Sequence, residues 1–549
     1  MIKTDVLVIG SGGAGITAAF EARNSGLNVL LVTKSKFGLS TCTSFSNGAF
    51  RACHEKDAIE KHFSDTMEAG KFLNDPRLVR ILVSRAWPAL KELEKMGIRL
   101  LFEKEKATII TKRIPPGIIL SSVLSNRALE SGVNVLENAF VFELAIRDNK
   151  CYGGFAYKKD TGQILSISAR STVIATGGYG SLYLRTDNPP GITGAGITLA
   201  YEAGAELQDL EFIQFQLMFI NPELPKLPIL DWLIEATKNL VPGGPLVNNR
   251  GDRFLEKYNL LKEKIMRDNL IIAVEKEILE TKDHKGLISF DLRGVNPEDI
   301  ERTLNFEYQK RLVHSISNVL SSKELHLCSF SHYTLGGIRI DECCRTSVEG
   351  LFAAGEVTAG IHGANRLGGN SLTEILVYGK IAGINAGHYA LNTNSYRIYK
   401  GTFNQKDKLI QTLLKLGKKN KINPDNFIKE IRMIVSESCM PLRNERSLMM
   451  ALKDLDKLEE LAPLLSIMTR AQAEKAIESL FMLKLAKLII RSMLERKESR
   501  GSHYRLDYPL TLEKNWLGNI IIKNESGRPK IYFAPKNRHD NIHYDRKRK

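Results

Sequence analysis

The chain has 549 residues, 43% hydrophobic and 26% charged, and is too long for one compact core, so about two to four structural units are expected. No apolar run reaches the ~18–20 residues that span a bilayer, so the expectation is a cytoplasmic protein whose membrane contacts, if any, run through a partner. The net charge of +16 reads as a lysine-rich solvated surface. The basic stretches at 415–421 and 546–549 lack interleaved aromatics, which disfavours nucleic acid and leaves steering of an acidic protein partner as the alternative.

The first element in chain order is a short apolar strand, TDVLVIG at 4–10, running into Gly10-Ser11-Gly12-Gly13-Ala14-Gly15. A helical pattern follows through Ala18, Ala19 and Ala22, then Gly26, then a second apolar strand, NVLLVTK at 28–34. Strand, glycine turn, helix and strand in that order form a dinucleotide-binding unit, a far stronger signal than the glycines alone. Gly10 permits the turn, Gly12 lets backbone approach a pyrophosphate, Gly15 lets helix pack on sheet, and the helix N-terminus offers N–H donors. The second strand ends in Thr33 and Lys34 rather than an acid, which disfavours a plain NAD domain. No second such unit follows; Ala175-Thr176-Gly177-Gly178 succeeds a strand but lacks the spacing. One dinucleotide is expected. Electrons then arrive or leave through another protein, a quinone, oxygen or a soluble carrier.

The seven cysteines (42, 53, 151, 328, 343, 344 and 439) are scattered and form no CxxC pair, so neither a zinc site nor an iron–sulfur cluster held by this chain alone is expected. A reducing compartment fits this usage. Beyond about residue 403, Pro424-Asp425 marks a helix start, and 448–461 and 471–494 repeat apolar residues at helical spacing. The alternating segments 519–523 and 530–533 predict strands, followed by a disordered basic tip.

Further motifs carry a resemblance. ATGG at 175–178, EFIQF at 211–215, NNRGDRF at 248–254, Arg267-Asp268, SHYTLGGI at 331–338, GLFAAGE at 350–356, HGANRLGGNSL at 362–372 and ESRGSHYRLDYP at 498–509 together resemble the fumarate reductase/succinate dehydrogenase flavoprotein subunit family, which includes L-aspartate oxidase. The resemblance covers nearly the whole chain. It implies an α/β fold: a Rossmann-like FAD-binding domain in two parts (1–218 and 326–402), an inserted α+β capping domain (219–325), a C-terminal helical domain (403–498), and a β-like segment with a basic tail (499–549).

The segment GLSTCTSFSNGA at 38–49 resembles the loop along the flavin, with Ser40, Thr43 and Gly48 as contacts. Respiratory members carry a flavin-linked histidine where Cys42 stands. The resemblance therefore implies noncovalent FAD of lower potential, favouring alkene reduction or delivery to oxygen, with Cys42 a small packing residue. Glu356 resembles the acid that accepts from flavin-side hydroxyls. Asn370, Ser371 and Leu372 open a helix whose N–H groups face the flavin. Ala195 replaces a usual aspartate.

Hydride addition to an enoate needs a clamped carboxylate, a polarised alkene and a proton donor. Arg366 matches the family's carboxylate clamp, which can grip bidentately. His332 matches a histidine donating to the same end, and Arg267 matches the proton donor. The relay segment reads Ile234-Glu235-Ala236-Thr237-Lys238: Glu235 stays, Lys238 replaces an arginine, and Ile234 replaces a threonine hydroxyl. Gln216 replaces a second pocket histidine, so the far end of the pocket is expected to suit a weaker or less charged group. Three functions remain open: a reductase of fumarate or a related 2-enoate with a separate iron–sulfur subunit, L-aspartate oxidase, and a non-catalytic electron-relay flavoprotein.

Overall fold

The structure, a computed structural model, describes residues 1–111, 114–220, 231–262, 264–283, 285–303, 325–393 and 421–536. Apart from Lys421, both basic stretches, the tip included, lie outside these residues.

A seven-stranded sheet forms the centre. Strand Ile2–Ile9 runs parallel between Val29–Val32 and Gln163–Ile174. Residues 4–9 are buried in succession, which is why the run is apolar without alternation. Asn134–Leu136 extends one side in parallel, while Lys150–Lys158 and Ala139–Arg147 extend the other antiparallel. Helix Gly13–Asn24 packs on helix Asn370–Leu391. A Cβ at Gly383 would stand 2.3 Å from the Ala18 carbonyl oxygen, so glycine sets the closeness of that crossing.

A second, four-stranded antiparallel sheet orders Ile213–Phe219, Leu325–Thr334, Ile288–Phe290 and Leu246–Val247. It spans positions on both sides of 218 and 325, and it carries Gln214, Gln216 and His332 on adjacent strands. The register slips between Gln214 and Phe215.

Helices Pro424–Ser438, Glu445–Leu461 and Arg470–Glu495 follow the apolar spacing, and each starts at a side-chain cap. Asn423 and Asn444 accept backbone N–H bonds, and Thr469 with Gln472 forms a capping box, each such cap contributing about 1 kcal/mol. Strands Gly518–Glu525 and Arg528–Pro535 form the terminal hairpin.

A buried ionic knot ties these parts together. Arg496 donates to Glu211 at 2.7 Å and Glu498 at 3.0 Å, and Arg500 grips both Glu498 oxygens at 2.7 and 3.0 Å. Arg443 donates to the Glu211 carbonyl at 2.7 Å and His503 Nδ1 at 2.6 Å. Charges this deep are tolerated only when paired. The knot fixes residue 211, immediately before the strand bearing Gln214 and Gln216. Among the described residues no helix is long and apolar enough to cross a membrane.

Candidate active site

A cavity of about 1280 Å³ opens between the two sheets' edges. This exceeds the ~300–1,000 Å³ of a single drug-sized ligand, leaving room for a dinucleotide and a small second molecule. Its glycine-rich end is built as the local sequence requires. Gly10 holds φ at 110°, and a Cβ there would lie 2.3 Å from the Ala175 carbonyl oxygen. A Cβ on Gly12 would meet only Thr43 Oγ1, at 3.9 Å, so this turn opens towards the cavity. Thr43 Oγ1 accepts the Gly13 N–H at 3.0 Å. The Thr176 hydroxyl and Arg366 Nε are buried with no hydrogen-bond partner among the described residues. A turn that opens to the cavity at Gly12, a helix N-terminus and unspent donors suit FAD.

Of the expected cofactor contacts, Gly10, Gly12, Gly13, Ala14, Thr33, Lys34, Ser40, Cys42, Thr43, Ala175, Thr176, Gly177, Glu356, Ser371 and Leu372 line the cavity. Three stand behind it. Gly15 presses on the Gly10 carbonyl oxygen, where a Cβ would come within 2.1 Å, and Gly48 backs onto Pro116 and Ile109. Asn370 begins its helix as expected, but its side chain turns away to His62 Nε2 at 2.8 Å and Thr66 Oγ1 at 3.0 Å. Thr33 bonds Ser11 at 2.9 Å. Behind the second strand's end, Glu478 of the far C-terminal helix pairs with Lys34 and accepts from Thr193 at 2.5 Å. Glu356 accepts from Thr334 N and Oγ1 at 3.0 and 3.2 Å, and burial pushes its carboxyl up to about 7. Cys42 Sγ lies 3.6 Å from Asn188 Oδ1; burial and the Glu356 and Asp187 carboxylates hold its thiol well above its ordinary range.

At the other end Arg366, His332, Arg267, Gln216 and Glu235 share the wall. Arg366 Nη2 donates to His332 Nε2 at 3.1 Å, while His332 Nδ1 donates to Asp187 at 2.7 Å. The proton of the neutral ring therefore sits on Nδ1, and Nε2 is an acceptor. Burial and the Arg267 and Arg366 charges keep this imidazole below its ordinary range. Arg366 stacks 4.5 Å over the Tyr333 ring, and burial beside Arg267 draws its pKa down to about 10. Tyr333 donates to Glu374 at 2.6 Å, and His362 meets the same carboxylate oxygen at 2.8 Å. Arg366 is thus held against a buried polar chain. Arg267, first residue of helix Arg267–Glu280, donates to Gln214 Oε1 at 3.0 Å, and the Gln214 amide donates to Asn365 and the Arg366 carbonyl.

Lys238 pairs with Glu235 at 3.0 Å from behind the wall, and Glu235 also accepts the Ile265 N–H at 3.0 Å. Ile234 is fully buried in the apolar core and off the cavity wall. Of Ile234, Lys238 and Gln216, Gln216 is the one on the cavity wall. Asp187 and Glu478 lie in no motif, and Gln214 and Tyr333 lie inside EFIQF and SHYTLGGI without a role of their own there; folding alone shows each as a site or supporting group.

Residues 5–372 match the FAD binding domain family and residues 428–547 match the fumarate reductase flavoprotein C-terminal family. An uncharacterized FAD-dependent oxidoreductase of Methanocaldococcus jannaschii is 35% identical over 95% of this chain and 97% of its own. One of the subunits of the CoM/CoB fumarate reductase of Methanothermobacter marburgensis is 32% identical over 96% of this chain and 98% of its own. The FrdA chain of E. coli quinol fumarate reductase superposes with a TM-score of 0.82 at 25% identity, covering 97% of each chain. With the glycine turn, the buried Arg366 on the cavity wall and these matches together, the chain belongs to the fumarate reductase/succinate dehydrogenase flavoprotein family and is an FAD-dependent oxidoreductase.

Proposed function

We propose that this protein moves hydride between FAD and the C=C bond of a small 2-enoate, fumarate or a relative with an altered far end. It would be the flavoprotein subunit of a fumarate-reductase-like enzyme whose iron–sulfur subunit is a separate chain. The observation that carries this is the convergence of Arg366, Arg267 and His332 on the cavity that also holds the glycine-rich dinucleotide end.

FAD, when bound, supplies the two-electron chemistry, giving or taking the hydride. The chain's own residues do the rest. Gly10 to Ala14, Thr43, Thr176, Glu356 and the Ser371–Leu372 helix start would hold the cofactor, noncovalently, since Cys42 stands in the linking histidine's place. Arg366, fixed by Tyr333, clamps the substrate carboxylate and withdraws charge from the alkene. Arg267 delivers a proton to the carbanionic carbon. Arginine is a weak acid, but an enolate-like carbon is far more basic, and the Glu235–Lys238 pair restores the proton. The polypeptide would divide as an FAD domain at 1–218 and 326–402, a cap at 219–325, helices at 403–498 and a terminal β segment.

The test is anaerobic mixing of chemically reduced holoprotein with a panel of 2-enoates. Rapid flavin reoxidation by at least one is expected. Reoxidation by none of them, or peroxide and iminoaspartate from L-aspartate instead, overturns the reading.

A further inference from the structure

We propose that Asp187 and Gln216 select the substrate's far end, admitting a monocarboxylate that ends in an uncharged hydrogen-bond donor such as a carboxamide or hydroxyl, and rejecting a second carboxylate. This rests on the 2-enoate reading above and narrows it.

The His332 ring separates two opposed poles. Arg366 meets its Nε2 edge at 3.1 Å, and Asp187 Oδ2 meets its Nδ1 edge at 2.7 Å. Gln216 Nε2 donates to the same Asp187 oxygen at 2.6 Å, which orients the amide and leaves its carbonyl oxygen, an acceptor, and one N–H for a ligand. The other Asp187 oxygen accepts from Asn188 Nδ2 at 2.9 Å, and that amide also donates to the His332 carbonyl at 2.8 Å. The carboxylate is therefore pinned to the strand that carries His332 and cannot swing out of the site. Asp187 and Gln216 both line the cavity with Arg366.

This end thus offers an anion and a carbonyl oxygen. A second substrate carboxylate would meet like charge in a site that screens it poorly, with its own water removed. An N–H or O–H group would instead find the Gln216 carbonyl oxygen and the Asp187 Oδ1 edge, which holds the single donor of Asn188. Of the other cations on the wall, Arg51 pairs with Asp65 and Glu105, and Lys34 with Glu478. Specificity of this kind needs a repulsive element as well as an attractive one, and Asp187 supplies both.

Two measurements on the FAD-loaded protein decide it. Anaerobic flavin reoxidation is compared for fumarate and fumarate monoamide, and binding of succinate and succinamate to the oxidised form is compared by calorimetry. In the wild type the monoamides are expected to win by about tenfold or more in rate constant and in Kd; Asp187→Asn, with Asp187→Ser as a second variant, brings the pairs within about threefold by improving the dicarboxylates. Fumarate equal to or better than its monoamide, or a ratio unmoved by both variants, overturns the selectivity and leaves the 2-enoate reading standing. Preferred binding of succinamate with no reoxidation by either enoate does the reverse.

Discussion

Arg366 and His332 face each other across 3.1 Å, the guanidinium donating to an imidazole nitrogen that has given its proton site to the Asp187 side. A ring in this state cannot donate to a substrate carboxylate until Nε2 gains a proton, so the proposed mechanism gives the initial grip to the guanidinium. Arg366→Lys replaces a planar fork stacked on Tyr333 with a point charge. The second-order rate constant for flavin reoxidation by the preferred enoate should fall about a hundredfold, chiefly through weaker binding. Stopped-flow titration of substrate concentration checks this; a fall in the limiting rate alone, with binding intact, contradicts it.

Gly10→Ala tests the cofactor end. Its Cβ would stand 2.3 Å from backbone at Ala175, at a φ of 110° that side chains rarely adopt. Both strands of the turn must shift, and the pyrophosphate cradle with them. Purified variant should carry less than about a tenth of the wild-type FAD, measured by absorbance after acid precipitation. The noncovalent attachment proposed for FAD predicts that the same precipitation of wild type leaves the flavin in the supernatant; flavin in the pellet would reverse that assignment.

Much of this was legible from local sequence. The turn at residues 10–15 and the three C-terminal helices are set by backbone geometry, apolar spacing and caps, all of which act within a few residues. The partners that tune the site are different in kind. His332 and Asp187 lie 145 residues apart, Glu211 and Arg496 285, and Lys34 and Glu478 444. A carboxylate in a loop looks like any solvated acid until folding sets it against a ring. Asn370 shows the same limit from inside a motif: its place at the helix start was readable, but its side chain's turn towards His62 depends on a helix about 300 residues earlier.

Lys238 tests the proton relay. It sits behind the wall, its side chain only 6% exposed, with Glu235 at 3.0 Å. Lys238→Met removes the group proposed to return protons while leaving Arg366 untouched. The limiting rate of enoate reduction should drop about ten- to a hundredfold with substrate binding little changed, and Lys238→Arg should recover most of it. A larger solvent deuterium isotope effect in the methionine variant would mark proton delivery as the slowed step. An unchanged rate would remove Lys238 from the relay.

His62 predicts how the protein responds to acid. Its ring is fully buried, and burial lowers its pKa to about 4. Nε2 bonds the Asn370 side-chain oxygen, and Nδ1 is buried with no partner among the described residues. Protonation would place a charge where nothing accepts it. In the unfolded chain the same group titrates near 6.5. Between these values the unfolded state binds the extra proton, so stability falls as pH drops from about 6.5 towards 4 and is unaffected by this group above that window. Over pH 7 to 5 this amounts to ~2 kcal/mol. His62→Gln keeps a donor for Asn370 and does not titrate. Denaturant unfolding at saturating FAD should show the wild type losing about 2 kcal/mol more than the variant between those two pH values; equal losses would mean that the His62 ring is protonated, or solvated, in the folded protein.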